Sequence, residues 1–585
     1  MIQIIVFILM NSIVALSSFL LTCKIFKITD PIDSLICFFL CGFAQIVATE
    51  LLLGVFGLLF MPYLVGVNLM ILFIFWLVTK KEKIYFGPAE LKGLRERSGN
   101  NKILLFAFSV LLGFTLVKLL VNLLNPPFGW DSLNYHFTFP VEWLKSGSLS
   151  SPITIFDDPS PTYYPVNGSL FYLWLIVPLR SVFLADLGQF PFFLVAGLVV
   201  FSIARKIGLN NVNSLYGALL FMLIPNFFKQ MQIAYVDIMV AALFLACVNW
   251  LFLLEKSFDL KNVFVFSLSL GLLIGTKTVA LPYSILLLLP FSVMACKNYK
   301  KAHLLVVFLL SVFIWGGFSY CRNFLETGNP LYPLDFKIFG IALFKGAMDK
   351  ASYSVRFSAS DYSLAKALFH EGLGAQFLLI AFPAIFLALP VALARKKKEL
   401  NFNFVYFMVL PTLIYLVFRF VIPLGNLRYL YCLMGIGMVL GFYLLQVLKV
   451  KKPVINFLLM LCVLVSIPEL AKRQELIVSL AVSTLFFIIL FNFKKIGELI
   501  PVRSRGVLIV FSLCAFTFFV RAKDFYDRNE YPRYLSMVKY SGFWPDAAKA
   551  WDWLNANTQG QNIAYAGRPV PFPLYGTNFK NNVFY

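Results

Sequence analysis

The chain has 585 residues, of which 60% are hydrophobic and only 13% charged, and its mean hydropathy is +0.82. A water-soluble domain is about 45–50% apolar and about 25% charged, so this composition excludes an ordinary soluble protein and points to the bilayer. The net charge of +22 sits in short clusters between apolar runs, not on a basic stripe of a polar domain, which excludes nucleic acid as the partner.

The first apolar run, residues 2–21, lacks a basic leader and a small-residue cleavage site, and reads as a retained transmembrane helix. With the runs 34–58 and 60–78 it forms a three-helix extension, closed by a basic linker; residues 1–102 are taken as one unit. The body, 103–520, carries apolar runs near 103–124, 169–204 (long and broken), 213–228, 235–254, 262–276, 279–295, 302–321, 374–394, 402–422, 428–448, 454–467, 475–491 and 506–520. Each approaches the length that crosses a hydrocarbon core of about 30 Å, and the whole chain is predicted to be an all-α polytopic bundle of about sixteen crossings.

Basic clusters mark the cytoplasmic loops: Lys80, Lys81 and Lys83; Arg205 and Lys206; Lys297, Lys300 and Lys301; Arg395 to Lys398; Lys449, Lys451 and Lys452; Lys494 and Lys495. Alternating crossings then place the three longest non-apolar segments, 125–168, 322–373 and 521–585, together on the extracytoplasmic side. The first holds Lys145 against Asp131, Glu142, Asp157 and Asp158, a poverty of basic residues expected of an outer loop. The tail, with Trp551, Trp553 and Leu554 before a loop-rich run at 567–576, reads as a small external domain whose last residues begin a strand. The nine cysteines lie mostly in or beside apolar runs without a CxxC pair, and three histidines are too few for a histidine-rich metal centre.

Chemistry concentrates after the helix 103–124. Pro126, Pro127 and Gly129 break that helix, and beyond Asp131 the residues Leu133, Phe137, Val141 and Leu144 recur at helical spacing, with Trp143 alongside. They predict a short amphipathic helix on the outer membrane surface, for which Asp131 is a natural N-cap. Asp131 also suits a general base, since one carboxylate oxygen can cap while the other faces a cleft. Lys277 follows an apolar run at an outer helix end, where an ionisable group is expensive and by default marks a site, unless it only snorkels. Arg322 and Arg428 stand at outer ends of apolar runs as phosphate clamps or plain anchors. Tyr135 and His136 neighbour Asp131; Tyr163, Tyr164 and Asn167 offer aromatic and amide faces for a sugar or an acceptor, or else a rigid loop. Asp157 and Asp158 read as turn formers, and Glu50 and Lys118 are intramembrane charges without an assigned role.

The stretch GWDSLNYH…EWLKSGSL followed by PTYYPVNGSLFYLW resembles the first external loop of bacterial GT-C-fold glycosyltransferases, relatives of the protein O-mannosyltransferases and the lipid A aminoarabinose transferases. AYVDIMVAALFLA, GLLIGTKTVALPYSILLLLP, RNFLETGNPLYPL and NLRYLYCLMGIGMVLG continue the pattern in order, and the tail WDWLNANT…IAYAGRPVPFPLYG is similar to the end of uncharacterised members. The resemblance covers 103–440 and the tail, not the first hundred residues. It implies a GT-C-like bundle in the inner (plasma) membrane and inverting transfer of a hexose or pentose from a polyprenyl-phosphate sugar to an extracytoplasmic acceptor hydroxyl. It implies Asp131 as the catalytic base and Asp237 as a second acidic site residue; Tyr135, His136, Tyr164, Lys277, Arg322 and Arg428 are the candidate substrate contacts that the residues themselves offer. The phosphate leaving group needs cations or oriented donors; a divalent metal is compatible with this chemistry but not required by it, and no other cofactor is expected.

A lipid-linked oligosaccharide transporter or flippase is the alternative, but it predicts internal repeats and charges in both halves of the membrane domain, and the halves are not self-similar. An O-antigen polymerase-like enzyme shares the long outer loops but not the Trp130-Asp131…Tyr135-His136 arrangement.

Overall fold

The computed structural model describes residues 1–85, 101–152, 160–338, 341–348, 372–395, 401–422, 425–492, 505–529, 534–542, 544–566 and 570–584. Asp157, Asp158, most of the basic linker, much of the segment 322–373, and Lys396 to Lys398, Lys494 and Lys495 lie outside them.

Helices α1 (Ile2–Leu20), α2 (Pro31–Val55) and α3 (Met61–Thr79) form the extension, and α4 (Lys102–Leu124) opens the body. A single π-helical turn, Ser132–His136, leads into α5 (Thr138–Ser146). There follow α6 (Asn167–Leu179), α7 (Gln189–Lys206), α8 (Asn211–Met222), α9 (Pro225–Gln230), α10 (Asp237–Lys256), α11 (Leu260–Ile274), α12 (Ala280–Lys297), α13 (His303–Gly316) and α14 (Phe318–Thr327). A two-stranded antiparallel hairpin, β1 (Phe336–Ile338) and β2 (Ile341–Phe344), precedes α15 (Phe382–Arg395), α16 (Phe402–Phe420), α17 (Tyr431–Val447), α18 (Lys452–Leu470), α19 (Arg473–Phe491) and α20 (Arg505–Asn529). The tail adds α21 (Tyr534–Ser541), α22 (Pro545–Asn557) and two short parallel strands, β3 (Asn562–Ala564) and β4 (Asn582–Phe584).

Among the described residues, 12 helices are long and apolar enough to cross a membrane, or 13 if the bent pair α13–α14 is one span. The chain is thus a multi-pass helical membrane protein, and among the described residues the count stays below the predicted sixteen or so. The run 169–204 divides into α6 and α7; at 13 residues α6 is too short to cross by itself, since a rise of about 1.5 Å per residue gives only about 20 Å. The run 213–228 breaks before Pro225, which starts α9, and α11 has only 15 residues. At Gly316 and Gly317 the chain bends by 67°, so Arg322, predicted at the start of a loop, lies within α14.

Helices α10 and α17 pack together at the centre and are buried along nearly their whole length; α3, α13 and α19 turn large apolar side chains outward, as lipid-facing helices do. The extension is docked against α6 and α7. Lys206 Nζ lies 2.7 Å from both carboxylate oxygens of Asp33 and bonds Ser202 and Asn249, so one of the basic residues read as a loop marker is a half-buried strut between α7 and α2. Lys118 of α4 pairs with Glu475 of α19 at 2.6 Å, which gives that intramembrane lysine its partner.

The apolar face of the amphipathic segment after Asp131 is turned into the protein. Leu133, Phe137, Val141 and Trp143 are fully buried, and the Trp143 indole donates to the Ser150 carbonyl at 2.8 Å. The tail covers this segment: Phe572 meets Phe137, and the Tyr575 hydroxyl donates to the Glu142 carboxylate. Burial between body and tail satisfies the same apolar face that the sequence had assigned to lipid.

Candidate active site

The site forms where the two central helices meet the first loop. Gly129 takes φ +101°, a left-handed value open to glycine, and a Cβ there would press to 3.0 Å on Ile233 and 3.2 Å on Tyr235. The chain can therefore turn sharply against residues 233–235 and present Asp131. The 230–237 segment is itself held by Gln189, whose amide donates to the Gln230 and Ile233 carbonyls at 3.0 and 2.8 Å and accepts from the Ile238 N–H at 2.9 Å. Asn122 adds bonds to Asp186 and the Gln232 carbonyl. Asp237 is consequently fixed in the first turn of α10, where the helix dipole favours a carboxylate.

Four side chains alternate in charge from there. Asp131 Oδ2 lies 3.0 Å from Arg428 Nη1; Arg428 Nε lies 3.4 Å from Asp237 Oδ2; Asp237 Oδ1 lies 2.7 Å from Lys277 Nζ. The Asp237 side chain is 1% exposed, whereas Asp131, Lys277 and Arg428 retain 13–15%, so the first is sealed and the other three are reachable. Arg428 also lies over the rings of Tyr235 and Tyr429 at 4.7 and 5.8 Å, and Lys277 over Tyr429 at 4.9 Å, which adds cation–π attraction. Gln230 donates to Asp237 Oδ2 at 3.4 Å and accepts from the Tyr431 hydroxyl. Asp131 makes no capping bond with its side chain: the widened turn leaves it in helical conformation, and its carboxylate turns to Arg428 instead.

His136 is buried beside this chain of charges. Its Nδ1 lies 3.0 Å from Ser169 Oγ, and its Nε2 has no hydrogen-bond partner. Burial, and then the positive charge of Lys277, hold the imidazole well below its ordinary pKa, so it is neutral at pH 7. The buried Tyr135 phenol is pushed well above its usual range, by desolvation first and the Asp131 carboxylate second, and stays protonated; its ring meets Tyr164 edge-on at 5.6 Å.

Arg322 is not part of this cluster. Its guanidinium donates to the Thr162 and Tyr164 carbonyls at 3.0 and 3.4 Å and to its neighbour Asn323. The carbonyls of the 160–164 turn lie within reach and the two aspartates do not, so Arg322 straps the loop that carries Tyr164. Asn167, a candidate for lining the pocket, serves the scaffold: its amide donates to the Trp315 carbonyl at 2.7 Å, and a Cβ on Gly275 would approach it to 2.2 Å. Tyr235, Tyr429, Gln230 and Ser169 escaped the sequence reading; the adjacency of Tyr429 to Arg428 was the one available signal.

Among the described residues no group of three His, Cys, Asp or Glu side chains gathers as a metal site; the two aspartates meet through Arg428. Two partly reachable cations, a neutral imidazole with an open nitrogen and a carboxylate paired to one of the cations are the elements of an anion site with an adjacent base.

Neither a protein-family model nor a curated protein sequence matches the chain. Solved structures similar to it include ArnT from Cupriavidus metallidurans in the apo state, at 14% identity and a TM-score of 0.44, covering 80% of this chain and 84% of that one. The same protein bound to undecaprenyl phosphate is similar at 12% identity and a TM-score of 0.43, with the same coverage.

Proposed function

We propose that this chain transfers a sugar from a polyprenyl-phosphate-linked donor to an acceptor hydroxyl at the extracytoplasmic face, with inversion and with Asp131 as general base. The observation that carries the reading is the alternating series Asp131–Arg428–Asp237–Lys277 beside the central apolar helices. The donor is a phosphodiester with one negative charge, and it leaves as a monoester whose charge grows through the transition state. Arg428 and Lys277 would attract that growing charge more strongly than the ground state, which is the condition for catalysis. The open Nε2 of His136 would supply a neutral hydrogen bond to the same phosphate.

Arg428 pairs with Asp131 at 3.0 Å and so occupies the carboxylate. A donor phosphate would compete for the guanidinium and release the carboxylate to accept the proton of the attacking hydroxyl. The new C–O bond forms at the anomeric carbon as the bond to phosphate breaks. Asp237, sealed and held by both cations, is in no position to attack the sugar as a second nucleophile; single displacement, and hence inversion, follows. Positive charge at the leaving group comes from side chains in this scheme, and no metal is invoked.

Asp131→Asn tests the assignment. The protein should fold and bind decaprenyl phosphate, while transfer from a panel of polyprenyl-phosphate sugars should fall by about 10²–10⁴-fold. Near-normal transfer by the variant would remove Asp131 from the mechanism.

A further inference from the structure

Resting on that reading, we propose that Trp130 and Trp544 form the acceptor wall and that the acceptor is itself a carbohydrate. The two indoles come from opposite ends of the chain and stack with centroids 5.6 Å apart and planes inclined by 23°. Both are only partly buried, and Trp130 immediately precedes Asp131. Trp544 holds φ +48°, ψ +58°, a left-handed conformation unfavourable for a bulky residue, at the start of α22. A backbone kept in that state to place one ring over another is a feature that simple surface covering does not require.

The tail is tied to the loop at further points. The Tyr575 hydroxyl donates to the Glu142 carboxylate, Lys145 Nζ donates to the Asn581 carbonyl, and Phe572 packs on Phe137 at 5.3 Å. Trp544 is thereby fixed relative to Asp131. A sugar ring offers an apolar C–H face, which suits the electron-rich face of an indole, and hydroxyls around its rim, one of which can then reach the adjacent carboxylate. Arg428 and Lys277 belong to the chain of charges that begins at Asp131, and the two indoles are uncharged, as a neutral glycan calls for.

The test uses the full chain in lipid nanodiscs and saturation-transfer NMR with maltotetraose, cellotetraose and chitotetraose as probes, against a short Ser/Thr peptide. At least one oligosaccharide should receive saturation on its ring protons. Trp544→Gly, which removes the indole and suits the left-handed backbone, should weaken that binding by about tenfold, and Trp544→Phe should largely retain it. Binding unchanged in a folded Trp544→Gly protein, no oligosaccharide binding at all, or peptide binding lost in that variant would each overturn the proposal. Decaprenyl phosphate is titrated in parallel: its failure to bind would strike the transfer reading while leaving the glycan result to stand or fall alone.

Discussion

At the scale of single residues, the two arginines at outer helix ends separate. Arg322 follows one apolar run and Arg428 opens another, and in the neighbouring sequence only Tyr429 beside Arg428 hints at a difference. Arg322 serves main-chain carbonyls, while Arg428 joins both carboxylates of the site, a difference made by tertiary placement. Arg428→Gln should therefore lower the affinity for decaprenyl phosphate by about 10–100-fold, as loss of a charge-assisted contact does. Arg428→Lys should not restore it, since an ammonium cannot reach Asp131 and Asp237 from two edges of one plane; full recovery would show that only charge matters. His136 provides a pH signature. Its folded pKa lies well below the unfolded value of about 6.5. Below about pH 6.5 the unfolded chain thus binds a proton that the folded chain refuses, and stability falls with acidification by up to about 1.4 kcal/mol per pH unit. Melting curves between neutral pH and pH 5 should show a shallower decline for His136→Gln than for the parent, and equal slopes would clear His136 as the source.

Among the elements, the runs set by apolar length alone emerge close to their predicted ends, α4, α10, α16 and α19 among them. The errors fall where backbone chemistry interrupts an apolar run: Pro225 starts a new helix, and Gly316 and Gly317 allow a sharp bend. The π-helical turn Ser132–His136 was illegible for another reason, since one extra residue in a turn changes which side chains face inward without changing composition. Lys118 was legible as an anomaly but not as half of a pair, because Glu475 lies on a helix remote in sequence. That pair yields a prediction for the α4–α19 contact. Lys118→Met leaves a buried carboxylate uncompensated and should destabilise by about 3–5 kcal/mol, whereas Lys118→Met with Glu475→Leu should return close to the parent. Thermal unfolding of the three proteins in one detergent measures this, and a double variant as unstable as the single one would refute it.

Taken whole, the molecule has two chemically different ends. At one, the loop, the α14 region and the tail touch one another: Ser151 donates to Glu326, Tyr163 packs on Tyr332, Arg322 holds Thr162 and Tyr164, and Lys145 reaches Asn581. At the other, the basic segments sit among each other's helix ends, with Lys24 donating to the Thr79 carbonyl, Lys301 to that of Phe258 and Arg395 to that of Val447. Charge asymmetry of this kind orients a polytopic protein with its basic end in the cytoplasm, and by that rule Asp131 and its partners are expected outside. The expectation is open to measurement in intact cells, with the exposed native cysteines Cys296, Cys321 and Cys514 first replaced. Ser150→Cys and Gln559→Cys should react with a membrane-impermeant maleimide, and Lys300→Cys and Lys397→Cys only after permeabilisation. Reaction at position 397 but not at 150 in intact cells would invert the protein, and with it the side on which any transfer occurs.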